Sequence, residues 1–316
     1  MKKFLKLLCV FGLMLLLLSV AADYAISSGL RKTNNHKYSV WNDIYDSKIN
    51  PDVVIIGSSE TIFGYNTYII DSLLNCNSYN LGINAHALWY QVLRYNTYRR
   101  FCPKPKVLIV NLSFIDTFIS TKYPFEREQF FPYIWDDSLI DEVSEDKKIT
   151  FFDKYLPYYR YYSYRNEIED GICSFFGKTS YDGEEMYKGY RGNDYEWNCG
   201  NLHDNIIYQG ALEPELVSML CDLIQQSKNE NVDVVLVCFP EYHPIRDVYG
   251  NVMQVENVFD SIAHEYQVPL LDYCQLDITF DSTFYYDPNH LKTRGSELFT
   301  LRLCHDLDSL KIIGNW

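Results

Sequence analysis

Cations are scarce in this sequence. Twenty-eight Lys and Arg stand against 42 Asp and Glu, a formal charge of −14 over 316 residues. Phosphate backbones are held by clustered Lys and Arg. No basic stripe appears, so nucleic acid is excluded as a partner. The same balance argues against adhesion to anionic lipid headgroups by charge. Glycine (15) and proline (11) are few, and 47 % of the chain is apolar, which excludes collagen-like repeats and disorder. There is no internal repeat and no low-complexity tract. The nine cysteines, at 9, 76, 102, 173, 199, 221, 238, 274 and 304, form no CxxC pair and no Cys/His group with zinc-ligand spacing, so no metal and no cofactor is implied. Cys238 and Cys274 fall in strand-like runs and read as small buried hydrophobes. What the chain has in excess is aromatic: 28 Tyr, 18 Phe and 5 Trp. A tyrosine offers an apolar face and a polar tip, useful in cores and in grooves for polar ligands.

The N-terminus sets the compartment. Lys2, Lys3 and Lys6 precede a run from Leu7 to Ala22 in which only Ser19 is mildly polar, and Asp23 ends it. This fits a signal peptide with small residues at Ser19, Ala21 and Ala22. It equally fits an uncleaved anchor, Phe4 to Ile26, with Lys6 snorkelling. Lysines ahead of the run keep that end in the cytoplasm. Both readings export everything after residue 30 and place the protein in the cell envelope, membrane-anchored in one case, periplasmic or secreted in the other. Residues 31–50 read as a tether or short helix.

From Pro51 strands alternate with helices. Val53–Ile56, Ser78–Ile83, Val107–Leu112, Asp233–Phe239 and Pro269–Tyr273 read as strands, the β-branched runs as buried on both faces. Residues 67–74, 86–101, 213–229, 252–266 and 292–310 read as helices. Alternation of this kind predicts an α/β domain over 51–316, a parallel sheet with helices on both faces and sites at the strands' carboxyl ends. Between about 117 and 212 the alternation stops. This aromatic-rich insertion, with the run Tyr155–Tyr164, is too long for a loop. It is expected to pack over the sheet's carboxyl edge, either as a helical subdomain with an aromatic core or as a cap whose tyrosines, such as Tyr158, face a groove.

Two short stretches carry chemistry. Gly57-Ser58-Ser59-Glu60 runs from a strand into a tight turn and presents serines at a helix start, where N–H groups favour negative charge. Such a serine can attack a carbonyl if a base takes its proton; it can also be a plain helix cap. Asp287-Pro288-Asn289-His290 places a carboxylate three residues before an imidazole on a turn. That spacing can hold Nδ1 and leave Nε2 free as a base, or make only an Asx turn. In a doubly wound sheet the two stretches can meet at one edge.

In the order of its blocks the sequence resembles the SGNH/GDSL hydrolase superfamily, in particular its membrane-anchored cell-envelope branch of polysaccharide O-acetyltransferase-like proteins. The carrying segments are VVIIGSSE (53–60), YNLGINA (79–85), KVLIVNLS (106–113) and FYYDPNHLKTRGSELFT (284–300), the last being the most specific. The resemblance implies a three-layer flavodoxin-like parallel sheet, Ser59 as nucleophile, His290 as base and Asp287 as its partner. It implies an oxyanion hole from the N–H of Ser59, a backbone N–H in the second block and an Asn side chain in the third; Gly82 and Ala85 occupy the second-block positions frequently held by glycine, Ala85 matching the usual donor. The third block departs from the pattern: no Gly-x-Asn-Asp is present, and Asn111 and Ser113 are the polar residues at that strand end. Ser58 stands where many members have Asp.

The activity so implied is a serine-dependent acyl-ester enzyme acting on cell-surface carbohydrate, by O-acetyl transfer or ester hydrolysis. A transferase would need its acyl group delivered across the membrane, by a polytopic acyl-donor protein beside the anchor. The competing expectation is an inactive glycan-binding or assembly protein that keeps the fold. His86, after the second block, reads as a helix cap, and His243, after the fourth strand, as a loop residue that could touch substrate.

Overall fold

The computed structural model describes residues 1–114, 117, 125–144, 149–178, 186–200, 202, 207 and 212–313. The chain divides into two compact units, Met1–Asn42 with Lys122–Glu185, and Asp43–Thr121 with Met186–Trp316.

The second unit is the α/β domain. Strands β1 (Val53–Ile56), β2 (Ser78–Asn80), β3 (Val107–Leu112), β4 (Asp233–Cys238) and β5 (Leu270–Asp272) form one parallel sheet in the order β2-β1-β3-β4-β5. This is the flavodoxin-like doubly wound order, and the three-layer expectation holds. Side chains alternate across the sheet. Val53, Ile55, Val107, Ile109, Val235 and Val237 face one side, where they pack with Tyr65, Ile70, Phe299, Leu303 and Leu307. The helices Ser59–Gly64, Thr67–Leu74 and Thr293–Ser309 cover that face. Val54, Leu108 and Val234 face the other side, covered by the helices Leu88–Phe101, Pro214–Asn229 and Val252–Tyr266. Both faces are therefore dry, which is why β1 and β3 read as continuous apolar runs. The second strand is shorter than expected. Leu81 and Ile83 nonetheless continue along β1, their N–H groups donating to Ile55 O (2.8 Å) and Gly57 O (3.0 Å). Beyond the sheet the chain makes a hairpin, β6 (Tyr285–Asp287) and β7 (His290–Leu291), that the strand pattern did not announce.

Residues 36–45 take the second of the two forms expected for 31–50: they form the short helix His36–Tyr45, and Tyr38 and Trp41 are fully buried, Trp41 Nε1 donating to Gln129 Oε1 at 2.9 Å. The insertion does not belong to the sheet domain as one piece. Lys122–Glu185 builds its own core with the first helix, Lys2–Leu30, in which Ile26, Leu30, Tyr38, Phe131 and Tyr161 pack together. The physical reason lies in the helix. Its C-terminal turns carry Ile26 and Leu30, which need cover, and the insertion's aromatics supply it. Residues 186–200, by contrast, belong to the sheet domain. The first helix is long and apolar enough to cross a membrane.

Candidate active site

β1 ends at Gly57, where the chain turns sharply. A Cβ here would lie 1.9 Å from Thr61 Oγ1 and 2.7 Å from Asn111 Cβ, so only glycine lets the turn pass this close to β3. Ser58 then takes extended backbone and Ser59 is the first residue of the next helix. First-turn N–H groups have no intrahelical acceptor, so the Ser59 N–H lies beside its own hydroxyl ready for an anion. The position is the switch point of the strand order, between β1 and β3.

The second half comes from the hairpin. Tyr285 and Leu291, both fully buried, root it in the core, and Tyr285 Oη donates to Pro240 O (2.7 Å). Its two-residue turn, Pro288-Asn289, sets Asp287 opposite His290. Asp287 Oδ1 accepts the backbone N–H groups of Asn289 (2.9 Å) and His290 (3.0 Å). The same carboxylate meets His290 Nδ1 at 2.8 Å (Oδ1) and 2.9 Å (Oδ2). A carboxylate only accepts, so Nδ1 carries the proton and Nε2 is the free base. Nε2 lies 2.7 Å from Ser59 Oγ, which donates to it. The hairpin tip is held in turn by Asn289 Nδ2, which donates to Glu241 Oε1 (2.9 Å) and Tyr249 Oη (3.0 Å).

Around the imidazole stands an aromatic wall that the sequence reading missed. Tyr286 stacks on the His290 ring (5.1 Å, 13°), and Phe63, one turn after Ser59, meets it edge-on (5.7 Å, 89°). Tyr195 stands edge-on to Tyr286 (5.8 Å), and the Arg191 guanidinium lies over Phe63 (5.4 Å) and donates to Tyr195 Oη (3.1 Å). Burial, then the Asp287 charge, push the Tyr286 phenol well above its ordinary value, so it stays a neutral donor. Tyr286 lies inside the block that carries the resemblance. Arg191 and Tyr195 sit in a stretch without periodicity, where nothing in the sequence marked them.

The expected oxyanion donors separate. Ala85 is in the left-handed region (φ 53°), which explains why glycine would suit this place. The pairing of residues 81 and 83 with 55 and 57 carries the chain toward Ala85 past the carboxyl end of β1. Among the described residues the Ala85 N–H has no hydrogen-bond partner. Gly82 is no donor: its N–H is taken by Asn80 Oδ1 (2.9 Å), and the residue is small because a Cβ would press on Ile62 Cγ1 at 2.8 Å. Asn111 is also engaged elsewhere. Its Oδ1 accepts from Tyr65 Oη (2.6 Å) and its Nδ2 donates to Glu60 Oε2 (3.0 Å), all within the protein. The buried Glu60 after Ser59 draws the amide inward, and an unpaired carboxylate there would be costly.

His243 opens a short helical turn and stacks on Phe280 (4.5 Å, 27°), while Tyr242 before it donates its N–H to Pro288 O (2.8 Å). Tyr158 belongs to the first unit. Its N–H donates to Asp23 Oδ2 (2.8 Å) and its ring packs beside the core of Ile26 and Leu30, so it is not among the residues the sheet domain gathers at Ser59.

His86 is a buried core histidine, its Nδ1 hydrogen-bonded to Asn84 O and its ring edge-on to Tyr90. Burial, then the Arg94 charge, lower its pKa to about 4, against a bond to Asn84 O that works the other way. The unfolded chain therefore binds a proton between about pH 6.5 and 4 that the folded chain refuses. Stability is full above that window and falls as pH drops through it, by roughly 3 kcal/mol at most. Urea unfolding at pH 7 and pH 4.5 is expected to show the loss, and His86→Gln to shrink it. An unchanged pH dependence in that variant would contradict the assignment.

No protein-family model and no curated protein matches the chain. One similar solved structure is described as "a putative platelet activating factor from Streptococcus pneumonia". It shares 13 % identity over 97 % of this chain and 99 % of its own, with a TM-score of 0.41. A likeness that distant has no weight for function here.

Proposed function

We propose that this chain is a serine-dependent acyl-ester enzyme of SGNH type working outside the cytoplasm. The observation that carries the reading is the continuous line Asp287–His290–Ser59, with the hydroxyl 2.7 Å from Nε2 and the carboxylate 2.8 Å from Nδ1. His290 takes the Ser59 proton as Oγ attacks an ester carbonyl. The oxyanion rests on the N–H groups of Ser59 and Ala85. Collapse expels the alcohol, which takes the proton from His290 and leaves an acyl-serine. His290 then deprotonates water or a sugar hydroxyl, whose oxygen takes the acyl group as Ser59 Oγ departs with the proton from His290.

The rings of Tyr286 and Tyr195 favour a carbohydrate on the acceptor side, since tyrosine faces pack on pyranose C–H surfaces and their hydroxyls bond sugar oxygens. O-acetyl transfer then takes its acyl group from a membrane acyl-donor protein. The engagement of Asn111 with Glu60 and Tyr65 favours a second reading, a glycan-binding protein with an idle site.

A fluorophosphonate probe separates the two. Stoichiometric labelling of the folded protein that vanishes in Ser59→Ala supports the enzyme. An unlabelled, folded wild type removes it.

A further inference from the structure

The first helix is gripped at one level by the rest of its unit. Asp23 accepts the Tyr158 N–H (2.8 Å) and the Arg160 guanidinium (2.6 Å), and the Ser27 hydroxyl is bonded to Tyr161 Oη (2.9 Å). On another flank the helix Arg165–Phe175 packs without room for a side chain. A Cβ on Gly29 would lie 1.7 Å from Gly171 O, and Tyr24 meets Phe175 edge-on at 6.2 Å. Toward its N-terminus the helix then stands bare, with its apolar side chains from Phe4 to Val20 exposed. Phe4 to Ala22 at about 1.5 Å per residue spans about 28 Å, the depth of a bilayer's hydrocarbon layer.

Next to that grip lies a connected set of exposed rings. Trp135 contacts Tyr155 (6.0 Å), Tyr155 contacts Phe151 (4.7 Å), Phe151 contacts Phe152 (5.9 Å), Phe152 contacts Tyr159 (5.8 Å) and Tyr159 contacts Tyr162 (5.5 Å). Phe151 is 69 %, Tyr162 65 % and Trp135 63 % exposed. A water-facing surface rarely carries so many adjoining apolar rings. Trp and Tyr gather where hydrocarbon gives way to headgroups, their rings in one and their polar tips in the other. The set flanks Tyr158, and Tyr158 is tied to Asp23, the residue that ends the apolar run.

We propose that Trp135, Phe151, Phe152, Tyr155, Tyr159 and Tyr162 form an interfacial collar that rests in the headgroup layer of the bilayer crossed by the first helix. The occupant is lipid because the patch flanks Tyr158, which is bonded to Asp23, where the helix's apolar run stops. No charge attraction is needed, in keeping with the acidic chain. The collar fixes the height of the unit on the membrane, so that it does not swing on its anchor. The inference rests on the first helix being a membrane span.

The test uses the full chain in phosphatidylcholine nanodiscs containing a phosphatidylcholine with a photoactivatable carbene precursor near its glycerol, followed by peptide mapping. Label is expected both on the first helix and on residues 151–162. In Phe152→Ser/Tyr155→Ser/Tyr162→Ser the second is lost and the first stays. Label on the first helix alone overturns the collar and leaves the span. Label on neither overturns the span itself. In a parallel sample, cross-linking of copies through Lys154 by an added amine-reactive reagent, with no lipid label on 151–162, assigns the rings to a protein contact and also overturns the collar.

Discussion

Asp287→Asn is expected to lower ester turnover about 10⁴-fold while leaving the hairpin in place, the scale on which a triad loses rate when its histidine is held in the wrong tautomer. The geometry specifies why. Asp287 Oδ1 is committed to the backbone N–H groups of Asn289 and His290, at 2.9 and 3.0 Å. An asparagine therefore keeps its carbonyl oxygen on those two donors, which preserves the turn. Its amide nitrogen then replaces Oδ2, 2.9 Å from His290 Nδ1 in the native chain. Oδ1, 2.8 Å from Nδ1, is already shared with two backbone N–H groups, so the amide N–H at the Oδ2 position competes for the Nδ1 lone pair and favours the tautomer with its proton on Nε2. The hydroxyl of Ser59 then faces an N–H and cannot give up its proton. The loss falls on kcat with KM little changed, because substrate binding does not use the carboxylate. Combining Asp287→Asn with Ser59→Ala should be no worse than Ser59→Ala alone, since the residues act as one unit. A loss under about tenfold on a nitrophenyl ester, with the variant folded, would show that this line of residues is not the catalytic one.

How much of this was legible follows from where periodicity exists. Val53–Ile56, Val107–Leu112 and Asp233–Cys238 are buried almost throughout. Their apolar runs announce a sheet covered on both sides, and the alternation with helices announces parallel strands; the flavodoxin-like order was implied only by the resemblance. Asp287 and His290 were legible because a three-residue spacing on a turn is itself geometric. For Asn111 the sequence shows a strand end but not that Glu60, 51 positions earlier, claims its amide. Nor does it show that the Gly82 N–H is taken by a side chain two residues away. Arg191 and Tyr195 reach the imidazole's surroundings from an irregular stretch that has no repeat to detect. The aromatic insertion showed its composition and not its partner. Only the fold reveals that Ile26 and Leu30, beyond the apolar run, need a surface to cover them.

The second large effect concerns that other unit. Lys37 Nζ lies 2.7 Å from Glu128 Oε1 and 2.9 Å from Glu167 Oε1, with Glu126 farther off at 3.8 Å. The side chains of Glu128 and Glu167 are about a tenth exposed, so water does little to replace the ammonium. Burial works against the charge on Lys37, but the hydrogen bonds it donates to Glu128 and Glu167 and their charges outweigh it and hold the pKa above the ordinary lysine value of 10.5. With a raised folded value, the stabilisation is complete below the ordinary lysine range and fades only at strongly alkaline pH. Lys37→Met keeps the aliphatic stem and removes the ammonium, leaving two carboxylates facing each other in a dry site. The expected cost is about 3–5 kcal/mol, the usual penalty for stripping one partner from a buried ion pair. Urea unfolding followed through Trp41, which is buried in the same unit, reads the change directly. Adding Glu128→Gln and Glu167→Gln to Lys37→Met should return most of the loss, because the penalty comes from unpaired charge and not from missing contacts. If Lys37→Met shifts stability by less than about 1 kcal/mol, the cluster behaves as an exposed pair and the tight packing assigned to this core is wrong.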